Sequence, residues 1–283
     1  MSYRITGTGS CIPDIAKKNS DFLKNKFLDT DGGKFQTSNS EIIDKFNSIT
    51  GIYERRYAPD EINCSDLAAV AAGLAINDSK LDQETLDYII VAHNTGDISC
   101  SSGQVDTLPS VASKVKAKLK IKNPNCVAYD IICGCPGWVE GIIQAKSFIK
   151  SGMAEKCLVI GCDTLSRILD ENDRDSMIYA DGSGAIVLES DRSYDGGILS
   201  HKSATFTYEG ENDFIFYGTS YDTMKRTKSD QKFIKMQGRK VYEFALKNVP
   251  VAMKSCFDEA DCKIEDLKKI FIHQANQKMD EAI

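Results

Sequence analysis

Tyr129-Asp130-Ile131-Ile132-Cys133-Gly134-Cys135-Pro136-Gly137-Trp138 passes without a linker from an apolar run into a helix start. Cys126 to Ile132 reads as a buried strand, and Pro136 opens a helix because its missing N–H costs nothing in a first turn. Val139, Ile142, Ile143, Ala145 and Ile149 form the apolar side of that helix, which stops at Gly152; Cys157 to Ile160 is strand again. Working upstream, Tyr88 to Ala92 is a buried strand, and Pro109 opens a helix whose Val111, Val115 and Leu119 recur every four residues. Arg4 to Gly9 predicts a short strand, and Ser65 caps an amphipathic helix over Asp66 to Ile76. Strands alternating with helices place the chain in the α/β class and imply a parallel sheet.

Downstream, Asp181-Gly182-Ser183-Gly184 reads as a tight turn ahead of a strand from Ala185 to Leu188, and Gly196-Gly197 marks an internal boundary. The expected organisation is an N-terminal half over residues 1–195 and a C-terminal half over 196–283. The second half repeats the theme in abbreviated form. It has an extended stretch around Ile198 to Phe206, a helix from about Met236 broken or kinked at Pro250, and the strand Ile270-Phe271-Ile272. Gln274 to Ile283 then reads as the first turns of a further helix with no strand after it, so this half is expected to be incomplete at its C-terminus.

Composition narrows the function classes. A chain of 283 residues with 42% hydrophobic and 27% charged side chains is ample for a buried core and excludes a disordered or collagenous protein. A net charge of -6 gives the whole molecule no electrostatic reason to bind nucleic acid or anionic lipid. The longest weakly polar stretch, Leu67 to Ile76, falls far short of the ~20 residues of a membrane span. The N-terminus shows no apolar signal region, so a cytoplasmic location is expected. In that compartment most of the ten cysteines are expected to be reduced and buried as small hydrophobes.

The strand-to-helix passage favours a nucleophile at Cys135. A cysteine at a helix N-terminus faces unsatisfied N–H groups and the positive end of the helix dipole, both of which favour thiolate. Cys133, two residues earlier, is expected to pack in the core; the plain alternative is that both are structural cysteines. A zinc site lacks a second ligand pair, and no metal is expected. Three histidines are available as proton partner or oxyanion donor. His273 and His93 each end an apolar strand, where open α/β sheets place their sites, and His201 reads as surface. The alternating Lys114, Lys116, Lys118, Lys120 and Lys122 read as a solvated helix face rather than a docking patch. The acidic run Asp170 to Asp175 lacks the central glycine of a calcium loop, and Trp138 reads as core packing rather than an acyl channel. Gly-x-Ser-x-Gly is absent, which disfavours a hydrolase.

His273-Gln274-Ala275-Asn276 after an apolar strand, taken with Asp130-x4-Cys135-x-Gly137, resembles the β-ketoacyl-acyl-carrier-protein synthase III family of the thiolase fold. Gly7-Thr8-Gly9-Ser10, Thr50-Gly51-Ile52-Tyr53-Glu54-Arg55, Pro109-Ser110, Ser166-Arg167, Asp181 to Ala185 and Met236-Gln237-Gly238 match the same pattern in the same order, covering nearly the whole chain. The resemblance implies two related halves with mixed sheets and helices, and a homodimer. It also implies a Claisen condensation: an acyl group passes from coenzyme A to Cys135, then malonyl-acyl carrier protein loses CO2 and its carbanion attacks. His273 would hydrogen-bond the malonyl thioester carbonyl, and the Cys135 N–H would serve the oxyanion. Asn276 would touch the pantetheine arm, and Lys278 would meet the acidic carrier. No cofactor is implied, since both thioesters are substrates. The family's third catalytic residue, an asparagine in a Gly-Asn-Thr-Ser-like motif, and its late glycine-rich loop fall beyond the last residue here. The tryptophan-arginine pair with which relatives hold coenzyme A is not visible in Ser40 to Ile49, and Glu243 stands where relatives often carry a basic docking residue. A specialised ketosynthase of secondary lipid or polyketide synthesis and a catalytically silent interaction subunit are the alternative readings.

Overall fold

The computed structural model describes residues 2–194, 196–226 and 230–283. The chain divides into two compact units of discontinuous sequence. The first takes the segment ending at Ala16, Arg56–Arg167 and Ala180–Leu199; the second takes Lys17–Arg55, Ile168–Tyr179 and Ser200–Ile283. Asp195, where the expected N-terminal half ends, lies outside the described residues. In chain order the elements that matter below are β1 (Tyr3–Cys11), α1 (Asn39–Thr50), α2 (Cys64–Ser79), β2 (Tyr88–His93), α3 (Val111–Lys118), β3 (Val127–Ile132) and α4 (Gly137–Ser151). They continue with β4 (Lys156–Thr164), β5 (Asp181–Ser190), β6 (Ile215–Gly218), β7 (Phe233–Met236), α5 (Gly238–Ala260) and α6 (Gln277–Ala282).

In the first unit β1, β5, β4, β2 and β3 form one sheet in that order. β2 runs parallel to both β3 and β4, whereas β5 is antiparallel to β1 and β4, so the sheet is mixed. Successive strand residues point to opposite faces and separate into two cores. Ile89, Val91, Leu158 and Ile160 pack with Ala68, Ala71, Ala72, Ala75, Val111 and Val115 of α2 and α3. Ile90, Cys157 and Val159 pack on the other face with Ala145 and Ile149 of α4. Each fully buried Ile, Leu or Val contributes about 1.5–3 kcal/mol, so the two faces together hold the helices on the sheet. The alanine stripe of α2 comes so close to β1 that a Cβ on Gly7 or Gly9 would run into the backbone carbonyls of Ala75 and Ala71.

Local chemistry moves several expected boundaries. α2 starts one residue before Ser65, with the Asn63 N–H donating to Asp66 Oδ2 at 2.8 Å, and Ser65 instead binds Asp97 through its N–H (2.8 Å) and hydroxyl (2.9 Å). Ser110, not Pro109, caps α3, accepting from the Ser113 N–H at 3.1 Å. Asp181 to Gly184 is not a turn but the first part of β5. It is laddered on one side to Cys11 and Ser10 and on the other to Thr164 and Asp163, and two sets of strand hydrogen bonds outweigh the turn preference of its glycines. The lysines after Pro109 are not a merely solvated face. Lys114 Nζ reaches Asp97 Oδ2 at 3.0 Å and Asp106 Oδ2 at 2.9 Å, Lys116 donates to the carbonyls of Asn123 and Cys126 at 2.7 Å, and Lys118 pairs with Asp66 at 2.6 Å.

In the second unit α1 is closed at both ends. Ser38 accepts from the Glu41 N–H while its own N–H donates to Glu41 Oε2 at 2.8 Å, and Gly51 ends the helix at φ 70°. Phe22, Phe27, Ile42, Ile43 and Met177 form this unit's core, with the Arg55 guanidinium over Phe22 at 5.1 Å and Phe46 at 5.7 Å. β6 and β7 make an antiparallel ribbon. α5 continues through Pro250 rather than breaking there. The expected extended pieces are not strands: residues 198–206 and Ile270 to Ile272 are irregular, and Ile270 and Phe271 are 51% and 84% exposed. Among the described residues no strand lies alongside either piece to share its backbone hydrogen bonds, and a lone extended segment gains nothing from β propensity.

Candidate active site

Cys133-Gly134-Cys135 is the whole connection between the carboxyl end of β3 and α4. Gly134 turns the chain at φ 63°, a conformation that favours glycine. The Gly137 N–H closes the turn on the Gly134 carbonyl at 3.0 Å, and Pro136 occupies the cap position of α4. Gly137 is tightly packed, since a Cβ there would lie 3.1 Å from Ala92 Cβ, tight enough that the neighbour would have to shift. The fold therefore sets Cys135 immediately ahead of the open N–H groups of α4, as the sequence predicts.

The ionisation expected at Cys135 is corrected. Desolvation pushes its thiol up, the Asp163 carboxylate pushes it further, and the hydrogen bond from its own backbone N–H only partly opposes them. Desolvation first, and the Asp163 charge second, outweigh the polarity expected at the helix end. Cys133, expected in the core, is exposed, as is Cys135. Of the ten cysteines only Cys64, Cys126, Cys157 and Cys162 are buried, fewer than expected.

Two hydrogen-bonded pairs lie beside this loop at the carboxyl ends of the parallel strands. His93, buried at the end of β2, meets Asp130 Oδ2 through Nε2 at 3.0 Å. Asp130 also accepts the Val111 and Ala112 N–H groups of α3, both at 2.8 Å. Burial would push that carboxyl up, but the bonds from His93, Ala112 and Val111 outweigh it and hold the group below the ordinary carboxylate value. Asn94 donates to Asp163 through its backbone N–H (2.9 Å) and its Nδ2 (2.6 Å). Burial nevertheless raises Asp163 to about 6, against the opposing pull of Asn94 and His93. Asn94 and Asp163 escape a motif search, but each directly follows an apolar strand run at the end where such sheets place their sites. Trp138 sits partly buried against the α4-side core, its Nε1 without a partner among the described residues. It borders an open hollow of about 330 Å3 shared with Gly9, Gly161, Gly184 and Ala185.

His273, Asn276 and Lys278 belong to the second unit, and Cys135 to the first. His273 is exposed in an irregular segment, not at a strand end. Burial raises the Asp280 carboxyl, and the charge of His273 works against that shift. Asn276 caps α6, its Oδ1 accepting the Met279 N–H at 3.1 Å; Lys278 is exposed on the same helix. The same unit stacks the Arg174 guanidinium over the Phe35 ring at 4.7 Å, an aromatic-arginine pair outside the Ser40 to Ile49 window. His201 is exposed, as expected. The acidic run holds no metal cluster among the described residues; its Asp170 and Asp173 instead bind Lys235.

A cysteine loop entering a helix from the carboxyl end of a mixed sheet is the arrangement of thiolase-like condensing enzymes. The solved 3-oxoacyl-[acyl-carrier-protein] synthase III of Aquifex aeolicus superposes over 99% of this chain and 79% of its own, with a TM-score of 0.78 and 29% identity. In sequence the chain is 34% identical to the β-ketoacyl-[acyl-carrier-protein] synthase III of Ehrlichia canis over 99% of its length and 79% of the relative's. It is 34% identical to that of Neisseria gonorrhoeae over 100% and 80%. The family model for 3-oxoacyl-[acyl-carrier-protein] synthase III matches residues 129–205, which begin at the cysteine loop's strand. The chain belongs to the 3-oxoacyl-[acyl-carrier-protein] synthase III family, whose members are acyl-transferring condensing enzymes of fatty acid synthesis.

Proposed function

We propose that this chain carries out the decarboxylative Claisen condensation of an acyl-coenzyme A with malonyl-acyl carrier protein in fatty acid biosynthesis, through an acyl group held on Cys135. In the first half-reaction the Cys135 sulfur attacks the thioester carbonyl, the carbon–sulfur bond to coenzyme A breaks, and coenzyme A leaves as the thiol with the cysteine's proton. In the second, the malonyl C–CO2 bond breaks, its electron pair forms the enolate, and the new carbon–carbon bond expels Cys135. His273 hydrogen-bonds the malonyl thioester carbonyl as charge develops, and the Cys135 N–H serves the oxyanion. Asn276 meets the pantetheine arm and Lys278 the carrier, with 1–195 and 196–283 as the two related halves. The observation that carries this reading is Cys135 itself, turned by Gly134 to the mouth of α4 in a chain related to synthases III over 99% of its own length.

Finer features have their own supports. Arg174 over Phe35 offers a stacking platform for the adenine of coenzyme A. β3 is an edge strand whose Val127 and Ile132 are exposed, which suits pairing with a second copy in a homodimer. A cytoplasmic setting suits a chain in which no described helix is long and apolar enough to cross a membrane. The reading requires no cofactor.

The test is intact mass after incubation with a panel of acyl-coenzyme A donors. The expected result is an acyl-sized increment that disappears in Cys135→Ser and persists in Cys133→Ser. An increment that survives Cys135→Ser overturns the assignment of the nucleophile, and malonyl carrier binding with no acyl transfer from any donor points to the silent-subunit reading.

A further inference from the structure

At the carboxyl ends of three parallel strands, one row of residues leads from a buried acid to the nucleophile loop. β2 is in register with β3 through His93 and Ile132, and with β4 through Ala92 and Gly161. One residue past the end of β2 lies Asn94, which continues these registers level with Cys133 on one side and Asp163 on the other. Asp163 binds Asn94 twice, through the backbone N–H at 2.9 Å and Nδ2 at 2.6 Å. An ionised carboxylate accepts hydrogen bonds and donates none, so it fixes which end of the Asn94 amide it meets. With Nδ2 committed to Asp163, Oδ1 is turned to the loop, where a Cβ added to Gly134 would lie 3.5 Å from it.

We infer that Asp163 is a positioning residue for Cys135, acting through Asn94: it locks the Asn94 amide so that its oxygen braces Gly134 and holds the loop in the shape that presents the thiol. This deepens the acyl-cysteine reading above and rests on it for its role in turnover, though not for the geometry. Asn94 faces Gly134 of the loop and Asp163 orients Asn94, so both act on Cys135 only through their neighbours. The groups facing Asp163 are His93 at the end of β2, Asp181 at the start of β5, Cys64 in the first turn of α2 and Cys135 in the loop, with Cys162 as its chain neighbour. An asparagine at 163 would keep an oxygen for the Asn94 backbone but present an NH2 to Asn94 Nδ2. The Asn94 amide would then turn over and offer a donor to Gly134 in place of an acceptor.

The experiment measures alkylation of Cys135 by iodoacetamide across pH, resolved by peptide mass, in Cys133→Ser protein. Asp163→Asn, Asn94→Ala and the double variant are compared in that background. Asp163→Asn is expected to lower the limiting rate about tenfold, as a displaced reacting group does. It also moves the half-maximal pH down, because a like charge near the thiolate is gone. In the Asn94→Ala background, Asp163→Asn should leave the limiting rate unchanged while the pH shift remains, which a merely structural role would not produce. A limiting rate unaffected by Asp163→Asn overturns the inference, as does a tenfold loss that persists when Asn94 is already alanine. If Asp163→Asn does not fold, Asn94→Ser beside intact Asp163 gives the same reading: a tenfold loss supports the brace, and an unchanged rate refutes it. Alkylation requires no acyl donor, so coupling seen here in a protein that no donor acylates would remove the synthase reading and leave the positioning role standing.

Discussion

Replacing Lys235 by methionine should strand two buried carboxylates, and the loss can be worked from the contacts. Lys235 Nζ lies 2.7 Å from Asp170 Oδ2 and 3.2 Å from Asp173 Oδ2, with side-chain exposures of 1%, 1% and 7% for the three residues. The ammonium also stands 3.5 Å from the centroid of the Tyr221 ring. Asp170 keeps bonds from the Tyr221 N–H at 2.7 Å and the Ser220 hydroxyl at 2.9 Å, but these are dipoles and do not neutralise its charge. Removing one partner of a buried ion pair costs about 3–5 kcal/mol, most of it the penalty of the uncompensated charge. With a urea dependence of about 3 kcal/mol/M, the unfolding midpoint falls by about 1–2 M.

The pH dependence separates this mechanism from lost packing. In the wild type burial pushes Asp170 up, but the Lys235 and backbone hydrogen bonds hold it below the ordinary carboxylate value. Its contribution is therefore present above the unfolded pKa and lost as pH falls through the folded one. Asp173 is raised by burial despite Lys235, so its contribution runs the other way and is lost as pH rises. With methionine at 235 both carboxyls are raised, and the variant falls further behind the wild type as pH rises from 5 to 8. Far-UV circular dichroism follows the melt, while Trp138, the only tryptophan, reports the first unit alone. Adding Asp170→Asn to Lys235→Met should recover part of the loss. A Lys235→Met loss below about 1 kcal/mol, or one of equal size at pH 5 and 8, would refute the reasoning.

Gly9→Ala should abolish soluble folded protein, since its Cβ would enter the Ala71 backbone carbonyl, whereas Gly184→Ala, with nothing within 4 Å of the added methyl, should leave yield and melting temperature unchanged. Ser38→Ala removes the capping box of α1 and should lower the melting temperature by about 2–4 °C at neutral pH. Hydrogen bonds from Ser38 hold Glu41 below its ordinary pKa, a contribution lost as pH falls through the folded value, so a thermal melt in acid should show a smaller difference. Phe35→Ala should raise the KM for acyl-coenzyme A with little change in Cys135 alkylation, if Arg174 over Phe35 holds the adenine.

What was legible in the sequence was what periodicity and backbone chemistry determine locally. Tyr88 to Ala92 and Cys126 to Ile132 fall within one residue of β2 and β3, and Cys157 to Ile160 finds β4 but stops four residues short of its end at Thr164, because apolar runs mark the strands of a sheet covered by helices while the polar strand ends do not show. β3, expected to be buried, is an edge strand with Val127 and Ile132 exposed. The helix start at Pro136 was readable because a proline at a helix start has one common structural use, whereas Cys133, expected to pack in the core, lies exposed in the loop. Contacts between distant residues were not readable. Asp181 to Gly184 looks like a turn until β1 and β4 are laid on either side of it, and Ile270 to Ile272 looks like a strand until no neighbour is found to pair with it. The same limit reversed the expected electrostatics of the site. Local sequence puts Cys135 at the positive end of a helix, but the burial that raises its thiol comes from the packed fold, and Asp163, the second cause, lies 28 residues away along the chain and is brought near by the order of the strands. A nucleophile's position is thus set by the three residues that connect its strand to its helix, and its ionisation by burial and by the charges that the sheet order brings near it. The first can be read from a motif; the second requires the order β4-β2-β3, which no stretch of sequence spells out.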